Sequence, residues 1–249
     1  MKLKFDENPV LGMFMKTSDP AFVEAASYSG MDFVILDMEH GPVSLTDIQN
    51  NIRAAQVSGV VPIVRVNKLC PQIISQVLDI GAYGIQIPQI QNAKEAREAI
   101  KSAKFYPDGE RGVCRFVRAA GYSSVSKTDY FKLANDYSLI ILQIEGVESI
   151  NNLDEILKVK GIDIIFIGPY DLSQSLGIPG EVTNPKVIEA MKKIVERADK
   201  MSIKTGTFVD TFESLQLWKK AGVNYLAYSV DVGVFYEAGK GIVEEFRCN

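Results

Sequence analysis

Histidine and cysteine are scarce in this sequence. His40 is the only histidine in 249 residues, and the three cysteines are Cys70, Cys114 and Cys248. The cysteines are odd in number, far apart and without CxxC spacing, so the sequence predicts neither a disulfide framework nor a thiolate zinc site. This cysteine usage favours a reducing cytoplasm.

Long apolar runs and an excess of basic residues are also lacking. No run approaches the roughly 18 apolar residues needed to span a bilayer. The segment from Met1 to Asn8 has no apolar core of the kind found in a signal peptide. The formal net charge is −4, which argues against nucleic acid or an anionic membrane as the main partner.

Short apolar runs rich in β-branched residues alternate with longer amphipathic stretches along the whole chain. The short runs predict eight buried parallel strands, at 10–15, 33–38, 61–66, 84–90, 139–145, 164–168, 204–209 and 225–230. The amphipathic stretches predict helices at 19–29, 44–57, 92–104, 128–136, 148–158, 185–200, 211–221 and 232–247. Eight strand–helix units in about 250 residues predict one (β/α)₈ TIM barrel, with 1–249 as a single domain.

Several polar side chains fall at the carboxyl ends of the predicted strands, where the reacting groups of such barrels lie. Gln143 and Glu145 are two residues apart on strand five and therefore project to one face. Asp171 follows strand six, so its carboxylate could meet that of Glu145 across neighbouring strands. Two carboxylates suit a hard cation such as Mg²⁺ or Mn²⁺. The alternative is that each carboxylate caps a helix or pairs with an arginine.

Two basic side chains at the ends of strands two and three each permit two interpretations. His40 could be a structural histidine, or a general base oriented by Asp37 or Glu39. Arg65 could form a buried ion pair, or could stabilise an enolate oxygen beside the metal. No predicted strand shows an inward lysine at its carboxyl end, so a Schiff-base mechanism is not expected.

Six short motifs carry a family resemblance that extends over nearly the whole chain. They are DMEHGP at 37–42, VRVN at 64–67, QNAKEAREAI at 91–100, YPDGERGV at 106–113, QIEG at 143–146 and IGPYDLS at 167–173. Together they make the sequence resemble the HpcH/HpaI aldolase family. Its members are class II pyruvate aldolases built on a phosphoenolpyruvate/pyruvate-type barrel.

The resemblance implies a role for each candidate residue. Glu145 and Asp171 match carboxylates that bind a divalent metal (Mg²⁺ or Mn²⁺, with Co²⁺ possible), and Gln143 matches a glutamine that contacts the site. Arg65 matches the arginine that holds the keto oxygen of pyruvate. His40 matches an acid/base, with Asp37 as its dyad partner. The backbone of Gly168, Pro169, Tyr170 and Asp171 matches the segment that grips the substrate carboxylate.

The resemblance also implies a reaction and an assembly. The reaction is the cleavage or formation of a carbon–carbon bond between the enolate of pyruvate and an aldehyde, with a 4-hydroxy-2-oxo acid as the joined compound. The assembly is a hexamer of three dimers, in which the last helix, at 232–247, is swapped between subunits.

The sequence departs from the family pattern at 114–118, where Arg115 and Arg118 replace small residues. These arginines predict an anionic second substrate bound beside the site. The alternative is a solvated or interface loop. Two other functions stay open: a citrate-synthase-like condensing enzyme acting on oxaloacetate and an acyl-CoA, and a barrel that binds 2-oxo acids without catalysis.

Overall fold

The computed structural model describes residues 3, 5 and 8–248. Its eight parallel strands pair in sequence order and close on themselves, β8 against β1, which confirms the predicted (β/α)₈ barrel. The strands are β1 (Val10–Met15), β2 (Phe33–Asp37), β3 (Val61–Arg65), β4 (Gly84–Ile87), β5 (Leu139–Ile144), β6 (Ile164–Ile167), β7 (Lys204–Val209) and β8 (Tyr225–Val230).

Helices connect the strands and surround the barrel. They are α1 (Pro20–Tyr28), α2 (Leu45–Ser58), α3 (Pro71–Asp79), α4 (Ala93–Ala103), α5 (Lys127–Tyr137), α6 (Val147–Asn151), α7 (Leu153–Leu157), α8 (Pro169–Ser175), α9 (Pro185–Lys200), α10 (Phe212–Lys220) and α11 (Asp231–Cys248). Within the described residues, no helix combines the length and the apolar character needed to cross a bilayer.

Side-chain caps explain why several helix starts were readable from the sequence. The Asp19 side chain accepts a hydrogen bond from the backbone of Ala21, and Ser44 forms a reciprocal capping box with Asp47. The predicted helix at 148–158 is instead two short helices that meet at Asn152. Helices α3 and α8 were not predicted, and neither has a side-chain hydrogen bond at its N-cap.

Aromatic rings fill the interior of the barrel at its amino-terminal end. Phe33 and Tyr225, the first residues of β2 and β8, stack with their ring centroids 3.8 Å apart. Gly12 faces these rings, and a Cβ there would lie 2.3 Å from the carbonyl oxygen of Phe33, so only glycine fits. Because this end is plugged by apolar side chains, the polar interior residues are left to the carboxyl ends of the strands.

The seam between β8 and β1 is reinforced by a buried carboxylate. Asp231, the first residue of α11, accepts hydrogen bonds from the backbone N–H groups of Lys16 and Thr17 and from the hydroxyl of Thr17, at 2.8–3.0 Å. The loop that leaves β1 is therefore held against the start of the last described helix.

Candidate active site

A cavity of about 390 Å³ opens at the carboxyl ends of the strands. Its walls combine basic, acidic and aromatic side chains from most of the strand ends. They are Phe14, Lys16, His40, Arg65, Gln143, Phe166, Gly168, Pro169, Tyr170, Asp171, Phe208, Asp210 and Val230. Of the residues predicted from the sequence, the structure thus brings His40, Arg65, Gln143, Gly168, Pro169, Tyr170 and Asp171 around one space.

Arg65 lies at this cavity and is also part of a buried ion-pair network. Its Nε and Nη2 donate to the two carboxylate oxygens of Asp37 at 2.9 and 2.8 Å, and its Nη1 lies 3.0 Å from Oε2 of Glu39. Asp37 and Arg65 are register partners on β2 and β3, which places both side chains at the same level. Arg65 forms the buried ion pair and also lines the cavity, so the ion pair does not prevent it from contacting a substrate oxygen.

The electrostatics of this network differ between its two carboxylates. Burial opposes ionisation of Asp37, but the hydrogen bonds and positive charge of Arg65 outweigh it and hold the pKa of Asp37 below its usual value. Burial raises the pKa of Glu39, and the charge of Arg65 opposes that shift only in part. Arg65 is thus positioned by an ionised Asp37 beside it.

The predicted dyad between Asp37 and the imidazole of His40 is wrong. Asp37 reaches only the backbone of His40, whose N–H donates to Oδ1 at 3.3 Å, and both carboxylate oxygens are taken by Arg65. The acid that faces the imidazole is Glu39, with Oε2 at 4.0 Å from Nε2 of His40. Gly41 makes this tight turn possible, because a Cβ there would lie 2.2 Å from the carbonyl oxygen of Asp37.

Glu145 is held at the end of β5 by an array of donors. Gln143 donates to its Oε2, and the backbone N–H of Gln89 donates to its Oε1 at 2.8 Å. Gln143 is itself fixed by Gln86, which donates to its side-chain oxygen. Gln89 has a left-handed backbone, with φ of 57°, and its amide is part of this array; strain of this kind often marks a functional site.

Burial raises the pKa of Glu145 to about 7, and the charges of Asp171 and Glu39 add to the shift. A desolvated carboxylate beside other acids is costly to ionise without a cation. Glu145 and Asp171 also line one cleft next to the main cavity, and Asp171 lines both spaces. The two carboxylates therefore share a region in which a positive charge would be stabilised.

This donor set fits a hard divalent cation. In the described part of the chain no group of three His, Cys, Asp or Glu side chains could enclose a metal. Mg²⁺ commonly uses one or two protein carboxylates and takes its other oxygen ligands from substrate and water. Glu145 and Asp171 match that pattern. They do not match a typical structural zinc site, which uses cysteine thiolates.

The turn after β6 is shaped to leave room for Glu145. A Cβ on Gly168 would lie 2.5 Å from Oε2 of Glu145 and 3.1 Å from its Cβ. The N–H of Gly168 donates to the carbonyl oxygen of Ile144, and Pro169 has no N–H. The donors that this turn can offer to a substrate carboxylate are therefore the backbone N–H groups of Tyr170 and Asp171.

The sequence did not reveal several cavity residues. Lys16 follows β1 directly and lines the cavity, which corrects the expectation that no strand end carries an inward lysine. Asp210 follows β7 and accepts a hydrogen bond from the hydroxyl of Tyr170. Burial and this hydrogen bond raise the pKa of Tyr170 to about 12, so Tyr170 stays a donor. The sequence did offer one signal for Lys16. It lies two residues after Phe14, and residues with this spacing on a strand project to the same face.

Arg115 and Arg118 do not line the cavity, so the prediction that both lie beside the site is wrong. Arg118 donates to the carbonyl oxygen of Ile80 and to Oε1 of Gln56. It lines a different cavity of about 520 Å³ near the amino ends of β3, β4 and β5. Arg115 stacks on the neighbouring ring of Phe116, with 4.8 Å between guanidinium carbon and ring centroid. Both arginines belong to the segment between α4 and α5, whose path places them outside the cavity.

Comparison with known proteins gives consistent results over nearly the whole chain. The family model for HpcH/HpaI aldolase/citrate lyase matches residues 10–238. A hydroxypyruvate/pyruvate aldolase of Paraburkholderia phytofirmans is 34% identical, covering 97% of this chain and 95% of the relative.

Solved structures point to the same family as the sequence comparisons. An HpcH/HpaI aldolase/citrate lyase family protein of Burkholderia cenocepacia superimposes with a TM-score of 0.92 at 29% identity, covering 96% of this chain and 95% of the other. The citrate synthase SbnG has a TM-score of 0.88 at 30% identity, with coverages of 96% and 94%. The chain is therefore a carbon–carbon lyase that belongs to the HpcH/HpaI aldolase/citrate lyase family.

Proposed function

We propose that this protein is a divalent-metal-dependent aldolase that joins pyruvate, as its enolate, to an aldehyde, or cleaves the resulting 4-hydroxy-2-oxo acid. The observation that carries the proposal is the arrangement at the strand ends, where Arg65 and Asp171 line one cavity and Asp171 shares the adjoining cleft with Glu145. We further propose that residues 1–249 act as one catalytic unit, since all eight strands close one barrel.

The proposed roles follow from the contacts of each side chain. Bound Mg²⁺, Mn²⁺ or Co²⁺, held by Glu145 and Asp171, would supply positive charge that stabilises an enolate oxygen. Arg65 presents its guanidinium to the same cavity, and its geometry is fixed in advance by Asp37. Gln143 holds the Glu145 carboxylate in place. The N–H groups of Tyr170 and Asp171 bind the substrate carboxylate.

His40 is the proposed proton carrier. Its imidazole is exposed at the cavity, with the Glu39 carboxylate 4.0 Å from Nε2. In cleavage, His40 takes the proton of the C4 hydroxyl, the C3–C4 bond breaks, and its electron pair forms the enolate. The enolate then gains a proton at C3 to give pyruvate. In condensation, the proton leaves C3 first and the new alkoxide at C4 is protonated last.

Two other functions make different predictions for the same cavity. The likeness to the citrate synthase SbnG supports a condensing enzyme that joins oxaloacetate to an acyl-CoA. A barrel that binds 2-oxo acids without catalysis would not exchange the C3 protons of pyruvate in D₂O. Exchange of the C3 protons of pyruvate would therefore exclude a barrel that only binds 2-oxo acids. Release of free CoA from acyl-CoA and oxaloacetate would identify the condensing enzyme.

Chelation is the direct test of the proposed aldolase. After EDTA treatment, pyruvate release from a 4-hydroxy-2-oxo acid should fall by at least about tenfold, and Mg²⁺, Mn²⁺ or Co²⁺ should restore it. Unchanged activity in EDTA would reject the metal requirement.

The pH dependence of metal binding is a second test. Because the pKa of Glu145 is raised to about 7, protons should compete with the cation below that pH. The metal concentration for half-maximal activity should then rise as the pH falls from about 8 to about 6.

We also propose that the chain assembles as a hexamer of three dimers, with α11 docking on another subunit. The supporting observation is that α11 exposes large apolar side chains along its length, including Phe235, Ile242 and Phe246 at 72%, 71% and 82% exposure. An apolar surface of this kind is typical of an interface.

Light scattering after size exclusion tests the assembly. The double variant Phe235→Glu, Phe246→Glu is expected to shift the native mass towards the monomer, because charges would have to be buried in the interface. The matched control is Tyr28→Glu, which changes an exposed aromatic residue of α1. A double variant that keeps the native mass of the unmodified protein would contradict docking through α11.

A further inference from the structure

Gln86 is a fully buried polar residue at the border between the apolar filling of the barrel and the polar strand ends. It lies on β4, and its register partners are Arg65 on β3 and Ile141 on β5. Ile141 belongs to the cluster of aromatic and aliphatic side chains that fills the barrel. Register partners on neighbouring strands project to the same face of a sheet, so Gln86 points into the barrel. An amide in such a position costs stability unless its polar atoms are paired.

Only one side of the Gln86 amide has a partner. Its Nε2 donates to the side-chain oxygen of Gln143. Its Oε1 is buried and accepts no hydrogen bond from the residues that the structure describes. A buried amide that is only half paired stabilises a fold less than a well-packed apolar side chain of the same size. The hydrogen bond to Gln143 is thus the contribution that an apolar residue could not make at this position.

The hydrogen bonds that lead from Gln86 to Glu145 run in one direction. Gln86 donates to Gln143, and Nε2 of Gln143 donates to Oε2 of Glu145. The donor and the acceptor of Gln143 belong to one planar amide, so its two contacts are linked. If this amide turned over, its oxygen would face the Glu145 carboxylate and its NH₂ group would face that of Gln86. Gln86 therefore stabilises the orientation in which Gln143 is a donor to Glu145.

This orientation is set at the wall of the site. A Cβ on Gly168 would lie 2.5 Å from Oε2 of Glu145 and 3.5 Å from Nε2 of Gln143, so both groups lie against the turn after β6. Asp171 follows that turn and lines one cleft with Glu145. A carboxylate held by a fixed donor keeps its free electron pairs in a constant direction, which favours the binding of a cation.

We propose that Gln86 is a positioning residue of the metal site, which acts through Gln143 by fixing the amide that holds Glu145. The inference rests on the proposed function, in which Glu145 and Asp171 hold a divalent cation. Gln86 lines neither the cavity nor the adjoining cleft, so its effect on the cation is indirect.

A double-mutant cycle between Gln86 and Gln143 tests the proposal. Methionine is as long as glutamine but cannot donate, so Gln86→Met removes the hydrogen bond with little change in shape. Its dissociation constant for Mn²⁺, measured from the electron paramagnetic resonance of the free ion, should be about tenfold higher than that of the unmodified protein. Gln143→Met should raise the constant about 10- to 100-fold. Adding Gln86→Met to Gln143→Met should then change it less than about threefold, because the residue through which Gln86 acts is already lost.

Asn51→Leu is the matched control. Asn51 lies on α2, is 1% exposed, and lines neither the cavity nor the cleft. Its amide is half paired like that of Gln86, because Nδ2 donates to the carbonyl oxygen of Thr17 and Oδ1 has no partner in the described part of the chain. Asn51→Leu should change the free energy of unfolding but leave the affinity for Mn²⁺ within about threefold of that of the unmodified protein.

Denaturant unfolding of the metal-free proteins verifies that each variant folds, and Gln86→Leu is a second apolar variant that replaces Gln86→Met if the latter does not. Three outcomes would overturn the proposal. They are an unchanged affinity for Mn²⁺ in the Gln86 variant, an equal loss when Gln86→Met is added to Gln143→Met, and an equal loss in Asn51→Leu. Failure of the proposed function has a separate signature, because the unmodified protein would then bind no Mn²⁺.

Discussion

Arg65→Met is expected to lower kcat by about 10²–10³-fold and the free energy of unfolding by about 3–5 kcal/mol. The first effect follows from the loss of the guanidinium that faces the proposed enolate oxygen. The second follows because Asp37 is fully buried and receives both side-chain hydrogen bonds from Arg65. Without Arg65 its charge is left with the Lys16 ammonium 3.9 Å away as its nearest cation.

A double variant separates the two effects. In Arg65→Met, Asp37→Asn the buried carboxylate is gone, so part of the lost stability should return while the activity stays low. Denaturant unfolding and pyruvate release measure the two quantities on the same preparations. If Arg65→Met unfolds at the same denaturant concentration as the unmodified protein, the ion pair does not stabilise the fold. If the double variant regains activity, Arg65 has no direct role in the reaction.

Gly168→Ala is expected to weaken metal binding about 10- to 100-fold. The added Cβ would lie 2.5 Å from Oε2 of Glu145, so the carboxylate has to move out of its hydrogen bond with Gln143. The only contact shorter than 3 Å is with the end of the Glu145 side chain, which lines the cleft beside the cavity and can move, so the variant should fold. Titration of the EDTA-treated protein with Mn²⁺, followed by electron paramagnetic resonance of the free ion, measures the affinity directly.

Gly146→Ala is the control for this substitution. Gly146 directly follows Glu145, has an extended backbone with φ of −142°, and would place a Cβ in ordinary contact, 3.6 Å from the Ser175 hydroxyl. Its Mn²⁺ affinity should match that of the unmodified protein. Equal affinities in all three proteins would mean that Glu145 does not bind the ion.

The predictions that succeeded depended on regular backbone geometry. The spacing of Gln143 and Glu145 placed both side chains on one face of a strand, and the structure joins them by a hydrogen bond. The ends of strands two, three and six were also visible as polar residues after apolar runs. In a parallel barrel such residues converge, so most of the cavity followed from the strand assignment alone.

The failures concern partners that periodicity does not encode. Asp37 binds Arg65 rather than His40 because the register of β2 against β3 sets those two residues side by side. The position of Arg118 depends on the path of an irregular loop and on contacts with Gln56 and Ile80. Helix α3 starts at Pro71 after a cysteine that makes no side-chain cap, so its beginning carried a weak signal.

The Asp231 contact has a consequence for biosynthesis. Strand β1 leaves the ribosome before its partner across the seam, β8, and before the carboxylate that holds the Lys16–Thr17 loop, both of which are made more than 200 residues later. Until then β1 and β7 are open edges of an unclosed sheet, and such edges invite pairing with other chains. The nascent polypeptide is therefore expected to rely on chaperones most heavily just before residue 231 leaves the exit tunnel.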